Sequence, residues 1–208
     1  MDAIQLFLLE HARAHSRAMA SANGSANGDV SFEDVIFGGL TDEQLRRRPQ
    51  PGINSLAWLL WHMARSEDMA VNILIAGQPQ LIEEGGWMEK LGLSRVDIGT
   101  GMSDDEVSAF TATVDIDAIR SYRAAVGRRT REVVSALRPE QLEEAIDGQY
   151  LERAFAEGAI GPGGEWLRGF IRGKTTEFIL CHVGTRHNFI HIGEAMCVRG
   201  LLGVALPT

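Results

Sequence analysis

Strong positive charge is missing from this sequence. Its 208 residues carry 20 Lys and Arg against 28 Asp and Glu, a formal net charge of −8. That balance excludes the basic patch a nucleic-acid surface needs. The one sharp basic run, Arg46-Arg47-Arg48 before Pro49, reads as a solvated helix end. Cysteine is scarce as well, at two residues. Cys181 and Cys197 fall in one expected helix and stand more than about 20 Å apart along its axis, so they do not pair. Reduced thiols and a cytoplasmic address are the expectation. Long hydrophobic runs are absent too. The longest, "SLAWLLWHMA", is too short to span a bilayer, and "MDAIQLFLLEHARAHS" mixes acids and histidines into its apolar stretch, unlike a signal peptide. No membrane role is expected.

What remains is an ordinary globular composition, 45% hydrophobic and 23% charged. One domain over 1–208 is expected, large enough to bury roughly 70% of its unfolded surface. Apolar residues recur at helical spacing in four long segments: about Ile4 to Ala20, about Ser55 to Ala76, Asp115 to Leu137, and Lys174 to Arg199. Asn54 or Ser55 can cap the second, and Gly200 reads as the residue that closes the fourth. Capping boxes at Thr41/Gln44 and Ser103/Glu106 place short helices in the connections. The stretches 77–114 and 147–172 are long, glycine-rich excursions; "GTG" at 99–101 reads as a turn and "GPGG" at 161–164 as mobile. "SANGSANGD" is a loop. No repeat and no strand set stands out. The fold class is therefore all-α, a four-helix bundle whose long inter-helix connections carry short helices.

Histidine carries the chemical signal. At about 100° per residue, His187 and His191 fall on the core-facing stripe of the fourth helix with Leu180, Val183, Gly184 and Glu194. His182 points almost the opposite way. His62 sits on the apolar stripe of the second helix with Trp58, Leu59, Ser66 and Met69, while Glu67 and Asp68 lie off it and read as surface charges. Each histidine alone is consistent with a core residue satisfied by a hydrogen bond. Three together suit a shared cation, because buried imidazoles need partners and three neutral nitrogens leave a coordination position open. His11 and His15 form a rival i,i+4 pair on the first helix, and spacing alone does not choose between the pairs.

"RPQPGINSLAWLLWHMARSED" (48–68), "GTGMSDDEV" and "RHNFIHIGEAMCVRGLLG" together resemble the DinB-like (DinB/YfiT) superfamily of metal-dependent enzymes, over nearly the whole chain. The resemblance implies a four-helix bundle, commonly dimeric, with a divalent metal on three histidines: here His62, His187 and His191. It leaves His11 and His15 as pocket residues at most. Glu194 stands where glutamine is more usual after H-x-G. Relatives include thiol-dependent S-transferases and a mycothiol-dependent isomerase. The implied function is activation of a low-molecular-weight thiol for a small-molecule substrate, with Glu194 and Ser66 handling protons or supporting the ligands. Zinc is the default cation, with nickel or iron as alternatives; a homodimer is implied. A metal-dependent hydrolase, or a non-catalytic stress or binding protein with a structural or vestigial site, remain the other readings.

Overall fold

A computed structural model describes residues 1–19 and 31–206; the "SANGSANGD" loop and the end expected for the first helix at Ala20 lie outside them. Four long helical runs make the bundle. They are α1 (Ala3–Ala14), α4 (Leu56–Asp68) with its continuation Met69–Ile75, α7 (Ile116–Ala136), and the run formed by α10 (Thr176–Leu180), Cys181–His187 and α11 (Asn188–Leu201). Short helices fill the connections: α2 (Phe32–Phe37), α3 (Asp42–Arg46), α5 (Trp87–Leu91), α6 (Asp104–Thr113), α8 (Gly148–Ala156) and α9 (Leu167–Ile171). The described residues hold no strand, only an isolated bridge between Ala145 and Thr175. Among them no helix is long and apolar enough to cross a membrane.

The helix at the centre is α4. Ser55 starts it, its side chain accepting from the Trp58 amide at 3.1 Å, which satisfies one of the orphan donors of the first turn. Every residue from Leu56 to Asp68 is buried, because α7, α11, α3 and α6 cover it on several sides. A helix so enclosed is wrapped by protein rather than presented to water on one face. Glu67 and Asp68, expected at the surface, are therefore fully buried; charged residues survive there only because each is surrounded by donors. Asp68 accepts from Arg65 at 2.8 Å, from Asn72 at 2.6 Å and from the Leu81 and Ile82 amides at 2.8 and 2.9 Å. In this way it fastens the start of the first excursion to the bundle.

Two other expectations change at element ends. Arg46 and Arg48 are not a solvated tip. Arg46 donates to the carbonyls of Thr111 and Val114 at 2.8 and 2.6 Å, closing the C-terminus of α6, and Arg48 reaches the Ile53 carbonyl at 2.7 Å. At the C-terminus, α11 runs past Gly200 to Leu201, and the left-handed residue that follows it is Gly203 (φ +71°).

Both long excursions are packed structure, including "GPGG". Gly99 and Gly101 take φ near +80°, and a Cβ on Gly101 would stand 2.5 Å from the Gly163 Cα. The turn at 99–101 and the turn at 162–164 thus meet backbone to backbone, which only glycine permits at both positions. Beneath them Ile98, Leu151, Ile160, Ile171 and Ile179 join Met69 and Ile73 in a second apolar cluster beside the main core.

Candidate metal centre

His62, His187 and His191 meet at one point. The Nε2 of His187 lies 3.2 Å from Nε2 of His62 and 3.2 Å from Nε2 of His191. Two of the rings are aimed from behind. The Nδ1–H of His62 donates to the Ile98 carbonyl, and its ring stacks on Trp58 (centroids 4.6 Å, 13° between planes). Ile98 is held in turn by the Ala159 carbonyl at 2.9 Å, and Arg65 donates to the nearby Val96 carbonyl at 3.1 Å. The Nδ1–H of His191 donates to Glu194 Oε2 at 2.8 Å, and Glu194 Oε1 accepts from Asn54 Nδ2 at 3.1 Å.

With Nδ1 committed as donor, the Nε2 atoms of His62 and His191 carry lone pairs. A proton on His187 Nε2 serves only one of those neighbours and leaves the other lone pair facing the cluster. Nδ1 of His187 is buried without a partner among the described residues. A cation satisfies all three nitrogens at once. Zinc at about 2.0–2.1 Å from tetrahedrally placed nitrogens sets them about 3.3 Å apart, close to the observed 3.2 Å. Protonation state fits as well. Burial, with the neighbouring His191, pulls His62 down to about 4; burial and the other two rings hold His187 well below its ordinary value. Both are neutral at physiological pH, the form that binds metal. Since Glu194 fixes the tautomer of His191, Glu194→Ala is expected to weaken cation affinity about 10–100-fold, measured by competition with a chelator of known affinity.

The cluster lies in the wall of a cavity of about 280 Å3 whose remaining lining is mostly apolar, with Met69, Leu74, Ile98, Phe170 and Ile179 prominent. Ser66, one turn along α4 from His62, also faces it; its Oγ is buried and has no partner among the described residues. Glu194 is not part of the lining and acts on His191 instead. His182 corrects the sequence expectation, since it lines the cavity with its ring 6.3 Å from that of His187. The cause is local winding. Cys181–His187 is π-helical, so the i→i+5 bond brings positions 182 and 187 toward one face, where α-helical spacing separates them. Met69–Ile75, on the opposite wall, is π-helical too.

His11 and His15 do not reach this cavity. Both bind Glu67, His11 Nε2 to Oε1 at 2.8 Å and His15 Nε2 to Oε2 at 2.7 Å. Thr130 adds a donor at 2.7 Å, Asn188 one at 3.0 Å and Arg123 one at 3.1 Å. Burial alone would push the Glu67 carboxyl up; His15, His11 and their hydrogen bonds outweigh it and hold it well below the usual range. The ligand atoms of His11, His15 and Glu67 all lie within 4.8 Å of one another, a grouping that could hold a metal. Yet separations of 2.7–2.8 Å are those of direct hydrogen bonds, and Arg123 already supplies the positive charge. The cluster is a buried charge network joining α1, α4, α7 and α11. The Gly184 backbone leaves room for the Phe7 ring of α1 rather than for the cavity, and a Cβ on Gly193 would meet nothing.

Acid should open this network. Burial, then Arg123, lowers His15 to about 3 from 6.5, so from about pH 6.5 downward the unfolded chain takes up a proton that the folded chain refuses. The lowered carboxyl of Glu67 acts in the same direction below 4.5. Stability is therefore expected to be full above pH 6.5 and to fall steadily toward pH 3, which thermal melts across that range would reveal.

The comparisons agree with this architecture. A crystal structure described as a conserved protein from Enterococcus faecalis superposes with a TM-score of 0.69, over 98% of this chain and 99% of that one, at 23% identity; the likeness is one of fold. No curated protein matches the chain. The family model of the DinB superfamily matches residues 34–171, which include His62 but stop short of His187 and His191, so the case for those two rests on geometry. That match spans well over half of the sequence, and the chain belongs to the DinB superfamily.

Proposed function

We propose that this protein is a metal-dependent enzyme in which His62, His187 and His191 hold a divalent cation beside a small-molecule pocket. The observation that carries the reading is the convergence of three imidazole nitrogens, that of His187 3.2 Å from each of the other two, in the wall of an open-sided apolar cavity. Three protein ligands with one side facing a cavity fit a working site better than a structural staple, which would be closed by four. When bound, the cation supplies Lewis acidity that lowers the pKa of a thiol or a water at neutral pH. The chain's own residues do the rest: Glu194 and Ile98 orient the imidazoles, and the apolar walls exclude bulk water.

Activation of a low-molecular-weight thiol for transfer to a small-molecule acceptor is the reaction we assign. A hydrolase reading is weaker here, because among the described residues no Asp or Glu lines the cavity to serve as the carboxylate base that such sites commonly use. Zinc is the favoured cation for three imidazoles, with nickel and iron as alternatives. Elemental analysis of the purified protein tests the proposal. One equivalent of a divalent metal per chain supports it, and no retained or reconstituted metal would overturn it.

A homodimer is also proposed. On α11, Ile190, Met196 and Leu201 are each more than half exposed, an apolar surface suited to a second copy. Sedimentation velocity at micromolar concentration is expected to give a dimer that Leu201→Asp shifts toward monomer; a monomeric wild type would refute it.

A further inference from the structure

We infer that the cavity beside the three histidines selects an uncharged, aromatic or similarly apolar ligand of one or two rings, anchored at its polar end by the Ser66 hydroxyl. The inference rests on the proposed metal site only for which end of the ligand faces the histidines. Its basis is what the cavity wall contains. Among the described residues, no Lys, Arg, Asp or Glu is part of the lining. The cations nearest in sequence are turned away and already engaged. Arg168 lies over the Phe155 ring and pairs with Glu152, which Arg172 also approaches at 3.7 Å. Arg186 lies over Phe178 and donates to the Cys181 carbonyl at 3.4 Å. In the metal-free cavity a carboxylate, phosphate or ammonium would lose its hydration and find no carboxylate, ammonium or guanidinium of opposite charge among the described lining residues.

Aromatic surface, by contrast, is plentiful. Trp166 stands at the rim, 60% exposed, edge-on to Phe170 with centroids 5.9 Å apart. Phe170 meets His182 at 4.9 Å, and His182 stacks on Phe178 at 11°. Of these, Trp166, Phe170 and His182 line the cavity from the rim to the histidines, with Phe178 backing His182, a wall matched to the flat faces and edges of a ring system. At about 280 Å3 the space is at the small end of the range for organic ligands, roughly 300–1,000 Å3. Within it, Ser66 is 6% exposed and its Oγ has no partner among the described residues, an unusual condition for a buried hydroxyl. A ligand amide, carbonyl or hydroxyl satisfies it, and the position one turn beyond His62 places that group at the metal end of the cavity.

The test uses three probes of nearly identical shape: 1-naphthaleneacetamide, 1-naphthaleneacetate and 2-(1-naphthyl)ethylammonium. Affinities are measured by calorimetry on the metal-free full-length protein. The neutral amide is expected to bind at least tenfold tighter than either ion, and Ser66→Ala to weaken it about three- to tenfold without changing the weak binding of the ions. Ile179→Trp, which fills the cavity, should abolish binding while helical content by circular dichroism is retained. Equal or tighter binding of either ion to the wild type would overturn the inference. Cobalt binding, followed separately by visible absorption, decides the metal-site reading. A protein that takes no cobalt but ranks the probes as stated refutes that reading alone, and one that takes cobalt but prefers an ion refutes the cavity inference alone.

Discussion

Glu67→Ala is expected to destabilise the protein by about 3–5 kcal/mol, the cost typical of removing one partner from a buried ion pair. The carboxylate accepts from His11, His15, Thr130, Asn188 and Arg123, and all five are buried. Alanine leaves His11, His15 and Thr130 without that acceptor, Asn188 with the Gly184 carbonyl at 3.0 Å, and the Arg123 charge facing Glu33 alone, at 3.0 Å. Against a total stability of about 5–15 kcal/mol for an ordinary domain, such a loss brings the fold near its limit. Denaturant unfolding is the measurement, with Glu10→Ala as the control. Glu10 pairs with Arg13 at 2.8 Å but is partly exposed, so its loss should change stability by less than about 1 kcal/mol. A Glu67 effect no larger than the control's would show that the network contributes nothing net.

His187→Ala is expected to remove stoichiometric metal, with affinity falling more than the roughly 10–100-fold that loss of a supporting partner causes. His187 is the central member, 3.2 Å from each of the other two nitrogens, so its removal leaves two ligands on different helices. Stability separates a ligand from a core residue. Nδ1 of His187 has no partner among the described residues, and without metal its Nε2 bonds one of the two rings at 3.2 Å. Alanine therefore costs the metal-free protein about one hydrogen bond, about 1 kcal/mol, and the metal-free variant should melt only slightly below the metal-free wild type. Metal-loaded wild type should melt well above both. A matched thiol-transfer assay with His62→Ala carries the consequence to activity, where rates equal to wild type would remove the cation from the reaction. Retention of a full equivalent of metal by His187→Ala would remove His187 from the ligand set.

The bundle was legible because its signals are local. Four apolar stripes, the Ser55 cap and the two capping boxes each act within a few residues, and the structure keeps them nearly in place. The three-histidine cluster was readable for a similar reason: His187 and His191 are one turn apart, and His62 is mid-stripe on a helix buried all round. Non-local arrangements were not readable. Nothing beside Glu67 in sequence indicates that α1 brings two imidazoles and α7 an arginine to cover it, so periodicity alone assigns it to water. His182 was misplaced because fixed 100° winding is an assumption, and the π-helical stretch Cys181–His187 breaks it without a signal such as proline. Arg46 and Arg48 likewise read as solvated until α6 supplies carbonyls from far along the chain.

The Glu67 network also bears on the order in which the molecule can be assembled. Its bonds to His15 and His11 span 52 and 56 residues, and that to Asn188 spans 121; the His62–His187 approach spans 125. Loops of that length must close before those pairs can form, which favours late completion over early nucleation. During synthesis, α1, α4 and α7 leave the ribosome before α11 exists. Until that last helix docks, Glu67 lacks Asn188 and His62 lacks both facing imidazoles. The chain therefore carries a built-in sequence of events, in which the charged interior and the candidate cation site are finished by the same final step.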